Sequence, residues 1–177
     1  MRCATPAILL ALAAVSGLLP SPLHAQDAPH RSNVPMFRKL TDTVLVSPQI
    51  SVEDVARAKE MGVTMIVNNR PDDEEPGQVN GAEIEQAAKA AGIGYVALPV
   101  AHGGFAPWQL DGMAKAQEEV AGGKILAYCR SGTRSTLLWS LARARAGDNA
   151  DVLAAQAQAA GYDLAPVRQI MDALAPR

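Results

Sequence analysis

Residues 128–135 read Tyr128-Cys129-Arg130-Ser131-Gly132-Thr133-Arg134-Ser135, "YCRSGTRS". Just before them "KILAY" (124–128) reads as a strand, and just after them "STLLWSLARARAG" (135–147) reads as a strong helix beginning near Arg134 or Ser135. A cysteine between two such elements sits at the carboxyl end of a strand, where open α/β sheets bind their ligands. The first N–H groups of a helix have no intrahelical partner, and the dipole favours negative charge there. A thiolate is stabilised in that position. Gly132 lets the backbone curl into an anion nest of inward N–H groups, and Arg134 offers a planar fork to a sulfate- or phosphate-like group. Ser131, Thr133 and Ser135 bring hydroxyls, and Arg130 a second guanidinium. The competing reading is an inert buried thiol beside a helix start, which requires neither the glycine nor the arginines.

The rest of the chain alternates strand and helix. "TVLV" (43–46) reads as a strand, paired with "MFRKL" (36–40) through the Thr41-Asp42 turn. In "SVEDVARAKEMG" Ser51 and Asp54 have capping-box spacing and Gly62 is the stop. "VTMIV" (63–67) suits a central buried strand. "NNRPDDEEPGQVNG" (68–81) is a polar loop, "AEIEQAAKAAG" (82–92) a helix, and "GYVALPV" (94–100) a strand. After the loop "AHGGFAP" (101–107), Pro107 opens a helix to about Val120, and two short helices near 149–160 and 166–174 close the chain. This order predicts an α/β fold with a mainly parallel central sheet flanked by helices.

The first 25 residues stand apart. Arg2, an apolar stretch from Ala7 to Leu19, two prolines and Ala25 make the pattern of a signal peptide. The stretch is short for a membrane span. Cleavage near Ala25–Gln26 would leave 152 residues in a periplasmic or secreted protein with no stable membrane insertion. Residues 26–35 then read as a flexible lead-in, and 36–177 as a single domain. The mature chain carries 15 basic and 18 acidic residues, a net charge of −3, which excludes a nucleic-acid surface. Its histidines, His30 and His102, have no zinc spacing, so neither metal nor cofactor is expected. Cys129 is then the single cysteine, and an exported lone thiol implies an external reductant or a thiol acceptor.

From about Met36 to Gly147 the sequence resembles the beta-lactamase hydrolase-like phosphatase-like family. The likeness rests on "LVSPQIS" (45–51), "MIVNNRPDDE" (65–74), Pro99-Val100 and "YCRSGTRSTLLWSLARA" (128–144), and leaves 148–177 as a helical extension. The second segment looks like the Val-Ile-Asn-x-Arg stretch of dual-specificity phosphatases. The resemblance implies a compact cysteine-phosphatase-like sandwich. It makes Cys129 the nucleophile, Arg134 the anion-binding arginine and residues 130–133 the cradle. It adds Arg70 as a site residue, with Asp72, Asp73 and Glu74 at the rim; a solvated charged loop is the other reading of that segment.

Two departures from the phosphatase pattern stand out. Tyr128 replaces the histidine before the cysteine, and four residues rather than five separate Cys129 from Arg134. That spacing also looks like the active-site loop of rhodanese-type sulfurtransferases. The loop that carries the phosphatase general acid has no aspartate here. His102 is its one titratable group, and Asp111 on the next helix is a second candidate. Three readings follow. The first is a phosphatase-like hydrolase acting through a covalent Cys129 intermediate on a small oxyanion or phosphoester. The second is a sulfurtransferase carrying a persulfide on Cys129 from a sulfane-sulfur donor. The third is a non-catalytic oxyanion or phosphopeptide binder, which would not need the thiol.

Overall fold

The apolar runs expected as strands assemble into one sheet in a computed structural model that describes Met1 and residues 37–101, 104–120 and 122–176. The expected cleavage site, the lead-in (26–35) and His102 lie outside the described residues. The strands are β1 (Arg38–Lys39), β2 (Val44–Ser47), β3 (Val63–Asn68), β4 (Gly94–Ala97) and β5 (Lys124–Tyr128). They lie in the order β1-β2-β5-β3-β4; β1 is antiparallel to β2 and the other neighbours are parallel.

Side chains of successive strand residues point to opposite faces, and each face has its own helices. Leu45, Ile66, Leu126 and Tyr128 pack with Val55 and Ala58 of α1 (Val52–Glu60) and with Ile84 and Ala88 of α2 (Gly81–Ala90). Val46, Val67, Ile125 and Ala127 pack on the other side. There they meet α3 (Pro107–Glu119), α4 (Thr133–Arg145), α5 (Ala150–Ala159) and α6 (Arg168–Leu174). The expected α/β sandwich is therefore the observed one. Tyr128 closes β5 on the α1–α2 side, so its hydroxyl faces away from the loop that follows, and burial raises its pKa.

Local chemistry accounts for most helix ends. Ser51 and Asp54 form the anticipated capping box: Ser51 N–H donates to Asp54 Oδ2 at 2.8 Å and Asp54 N–H to Ser51 Oγ at 3.3 Å. Asn80 and Glu83 form a second box at α2, and the Asn149 side chain caps α5 by accepting from Asp151 and Val152 N–H. α4 has no side-chain cap and buries eight of its residues, among them Leu138, Trp139, Leu141 and Ala142, as a central helix does.

Most strand and helix ends fall within a residue or two of expectation, and four of the differences have a local cause. β4 ends at Ala97 rather than Val100, because Pro99 has no N–H to continue the ladder; Leu98 and Val100 donate to Asn68 O and Asn69 O instead. α2 runs 81–90, stopping before Gly92, whose φ is 67°. α4 starts at Thr133, ahead of Arg134, because left-handed Gly132 (φ 90°) turns the chain and its carbonyl accepts the first helical bond, from Thr136 N–H. The last helix divides into a 3-10 turn (Ala165–Val167, containing Pro166) and α6.

Candidate active site at the carboxyl ends of the strands

Hydrogen bonds to both neighbouring strands fix the end of β5. Cys129 N–H donates to Ser47 O at 3.4 Å, and Asn69 N–H to Tyr128 O at 2.8 Å. One residue beyond Tyr128, the pleat turns Cys129 toward the α3–α4 side, where it is fully buried. Gly132 N–H donates to Cys129 Sγ at 3.1 Å. The loop therefore folds back on the sulfur. Among the described residues the N–H groups of Arg134 and Ser135, at the uncapped start of α4, have no backbone partner. That is the donor pattern an anion requires.

Arg134 stands over this loop, held by carboxylate and carbonyl. Its Nη2 donates to Glu74 Oε2 at 2.9 Å, and its Nη1 donates both to Glu74 Oε1 and to Val100 O, the latter at 2.7 Å. One edge of the guanidinium is thus committed to the protein. The other edge, Nε and the second Nη2 hydrogen, has no protein oxygen partner among the described residues. The Glu74 hydrogen bond raises the Arg134 pKa, and the nearby Cys129 sulfur raises it further.

Glu74 is itself gripped from below. Arg70 is 2 % exposed and donates from Nε to Glu74 Oε2 at 3.0 Å and from Nη1 to Gln49 Oε1 at 2.9 Å, while its Nη2 lies 3.0 Å from Glu75 Oε1. Glu75 Oε2 in turn pairs with Arg130 Nε at 3.1 Å. The order Arg130–Glu75–Arg70–Glu74–Arg134 alternates charge across the polar loop and the cysteine loop. The Arg134 hydrogen bond, aided by Arg70 and opposed by burial, lowers the Glu74 pKa to about 2.

The sequence candidates thus occupy different places. Cys129, Gly132, Arg134 and Ser135 converge at the strand end; the Ser135 Oγ is buried and unpartnered among the described residues. Arg70 lies beneath them, hydrogen-bonded to Glu74 and Gln49 and ion-paired with Glu75, so it braces the loop that carries Glu74. Arg130 is largely exposed and turned to Glu75, and the exposed Ser131 and Thr133 hydroxyls bond each other at 3.1 Å. Of the rim acids, Asp72 accepts from Gly81 N–H at 2.8 Å, and only Glu74 enters the site. Asp111 pairs with Arg145 on the outer surface of α3 and α4. Glu74 is legible only as one of three rim acids implied by the resemblance, and Gln49 and Ser47 carry no sequence signal beyond lying in a recognisable segment. Among the described residues no cluster of His, Cys, Asp or Glu could hold a metal, and no helix is long and apolar enough to cross a membrane.

Residues 36–146 match the family described as beta-lactamase hydrolase-like protein, phosphatase-like domain. The chain belongs to this family. A beta-lactamase hydrolase-like protein of Agrobacterium fabrum (strain C58) is 30 % identical over 109 residues, covering 62 % of this chain and 25 % of that protein. The phosphatase-like domain therefore spans about a quarter of that relative. A crystal structure of a candidate phosphatase from Neisseria meningitidis superposes with a TM-score of 0.65 at 33 % identity, covering 78 % of this chain and 97 % of its own. PTPMT1 in complex with PI(5)P gives 0.63 at 14 % identity over 78 % and 96 % of the two chains, a likeness of fold.

The Glu74 carboxyl titrates near 2 when folded and near 4.5 otherwise, so on acidification the unfolded chain takes up its proton first. Its stabilising contribution is complete above the ordinary carboxyl range and is lost as pH falls through about 4.5 toward 2. Thermal unfolding followed by circular dichroism across that window should show a steeper fall of Tm for the wild type than for Glu74→Gln. Parallel curves would contradict the assignment.

Proposed function

We propose that this chain is a cysteine-dependent, phosphatase-like hydrolase. The observation that carries the reading is the placement of Cys129 Sγ under the Gly132 N–H, at an uncapped helix start, beside an Arg134 with one edge locked and the other open. The Cys129 thiolate attacks the phosphorus of a phosphoester. The bond to the ester oxygen breaks, and the departing oxygen takes a proton. Water then attacks the phosphocysteine, inorganic phosphate leaves, and the thiolate is restored. Arg134 and the N–H groups of residues 130–135 hold the non-bridging oxygens as charge builds on them. PI(5)P bound to a protein of the same fold supports a phosphoester as the substrate class. His102 is the proposed acid for the leaving oxygen.

A second reading has its own observation. Glu74, with its pKa near 2, is ionised at neutral pH and cannot donate a proton, and Asp111 is engaged elsewhere. Sulfur transfer needs no acid. The thiolate attacks the outer sulfur of thiosulfate, the S–S bond breaks, sulfite leaves, and the persulfide on Cys129 passes its sulfur to a thiol or to cyanide. The four-residue spacing from Cys129 to Arg134 favours the same chemistry.

We also propose that the chain acts after export, supported by Arg2, the Ala7–Leu19 stretch and Ala25. In that compartment a thiol reductant must keep Cys129 reduced. The intact mass of the periplasmic or secreted protein should begin at Gln26; a chain retained at full length would contradict export.

The chemistry is decided by offering the reduced protein p-nitrophenyl phosphate in one reaction and thiosulfate with cyanide in another. Phosphate release should fall by at least about a thousandfold in Cys129→Ser, as expected when a nucleophile is deleted. Thiocyanate formation with one sulfur gained on Cys129, and no phosphate release, would overturn the hydrolase in favour of sulfur transfer.

A further inference from the structure

The cysteine loop is also held from its outer side, by a residue beyond the stretch that matches the family. α5 ends at Ala159, and Gly161, with φ 82°, reverses the chain so that Tyr162 N–H reaches back to Ala157 O at 2.9 Å. The reversal delivers Tyr162, 8 % exposed, against the loop, where its hydroxyl donates to Ser131 O at 3.2 Å. Arg38 of β1 backs it: the guanidinium lies 5.1 Å from the centre of the Tyr162 ring, and its Nη1 donates to Ala160 O at 3.2 Å.

The significance lies in a single peptide plane. Ser131 C=O and Gly132 N–H belong to the same planar trans unit, so they point in opposite directions. The carbonyl end is bound by Tyr162 and the N–H end by Cys129 Sγ, at 3.1 Å. Rotation of this plane would withdraw a donor from the sulfur and bring a carbonyl dipole toward the anion site. Residue 132 must also be glycine twice over. Its φ of 90° is in the left-handed region, and a Cβ there would collide with the Tyr162 hydroxyl.

We propose that Tyr162 is a positioning residue for the cysteine loop: its phenol fixes the Ser131–Gly132 peptide with the carbonyl outward and the N–H on Cys129. The inference rests on the oxyanion-cradle reading above for its consequence, and on the peptide geometry for its cause. Tyr162 touches neither substrate nor sulfur; it acts through the orientation of one amide. Burial raises the pKa of its phenol, which therefore remains a donor at neutral pH. The C-terminal segment, outside the family match, thereby shapes the site.

Tyr162→Phe removes the hydroxyl and keeps the ring under Arg38. In the full chain two quantities should be compared with the wild type: the Kd of tungstate, a tetrahedral oxyanion, by titration calorimetry, and the Gly132 amide signal in 1H–15N NMR. A lost hydrogen bond of ordinary net strength weakens tungstate binding by about three- to tenfold. The Gly132 amide should shift as its bond to sulfur is released. A lower Tm with both quantities unchanged would make Tyr162 a purely structural residue and overturn the proposal. If the wild type itself fails to bind tungstate, the cradle reading falls, and the Gly132 amide alone still decides whether Tyr162 sets that peptide.

Discussion

Arg134 sits in the first turn of α4, where a cation is unfavourable against the positive end of the helix dipole. Its contact with Glu74 offsets that cost and joins segments sixty residues apart in sequence. The same guanidinium also donates to Val100 O, just beyond the end of β4. Three separate pieces of chain therefore meet on one side chain. Without Glu74, the arginine would lack an anion, and Glu75–Arg130 would be the remaining ion pair between the polar loop at 68–75 and the cysteine loop. Arg70 and Glu75 extend the grip to Arg130, so the cradle is framed by alternating charges whose geometry exists before any ligand arrives.

That arrangement divides the work between the two sides of the sheet. The α1–α2 side takes Tyr128 into its core, which explains how tyrosine can stand where cysteine phosphatases place histidine: the side chain points away from the reacting group. The α3–α4 side takes Cys129, the uncapped helix start and the open edge of Arg134. Capping by a side chain at α4, as at α1, α2 and α5, would fill the donors that an oxyanion needs. Gly132 supplies the turn at that helix start without occupying them.

Local signals in the sequence were enough for the framework. The Ser51–Asp54 box, the strand runs and the Gly132 turn are set by neighbours a few residues away, and the fold follows them closely. The Cys129–Arg134 loop was legible for the same reason. Residues whose role depends on a distant partner were not. Glu74 read as one of several charges in a polar loop, yet it alone of the four consecutive acids at 72–75 reaches Arg134. Arg70 reads from the sequence as a site residue, but nothing local shows that its guanidinium turns to Glu74, Gln49 and Glu75. Tyr162 lay in a segment read only as packing helices, because nothing local marks a phenol that will meet a carbonyl thirty-one residues earlier.

In the proposed cradle, residues 129–135 hold an oxyanion together with the free edge of Arg134 while Glu74 holds the other edge. A crystal structure of the protein soaked in tungstate tests it most directly. One anion is expected over Cys129 Sγ, bonded to Arg134 Nε and Nη2 and to N–H groups of the loop, with the Glu74–Arg134 contact intact. An anion bound elsewhere, or an Arg134 that leaves Glu74 to reach it, would rule the cradle out.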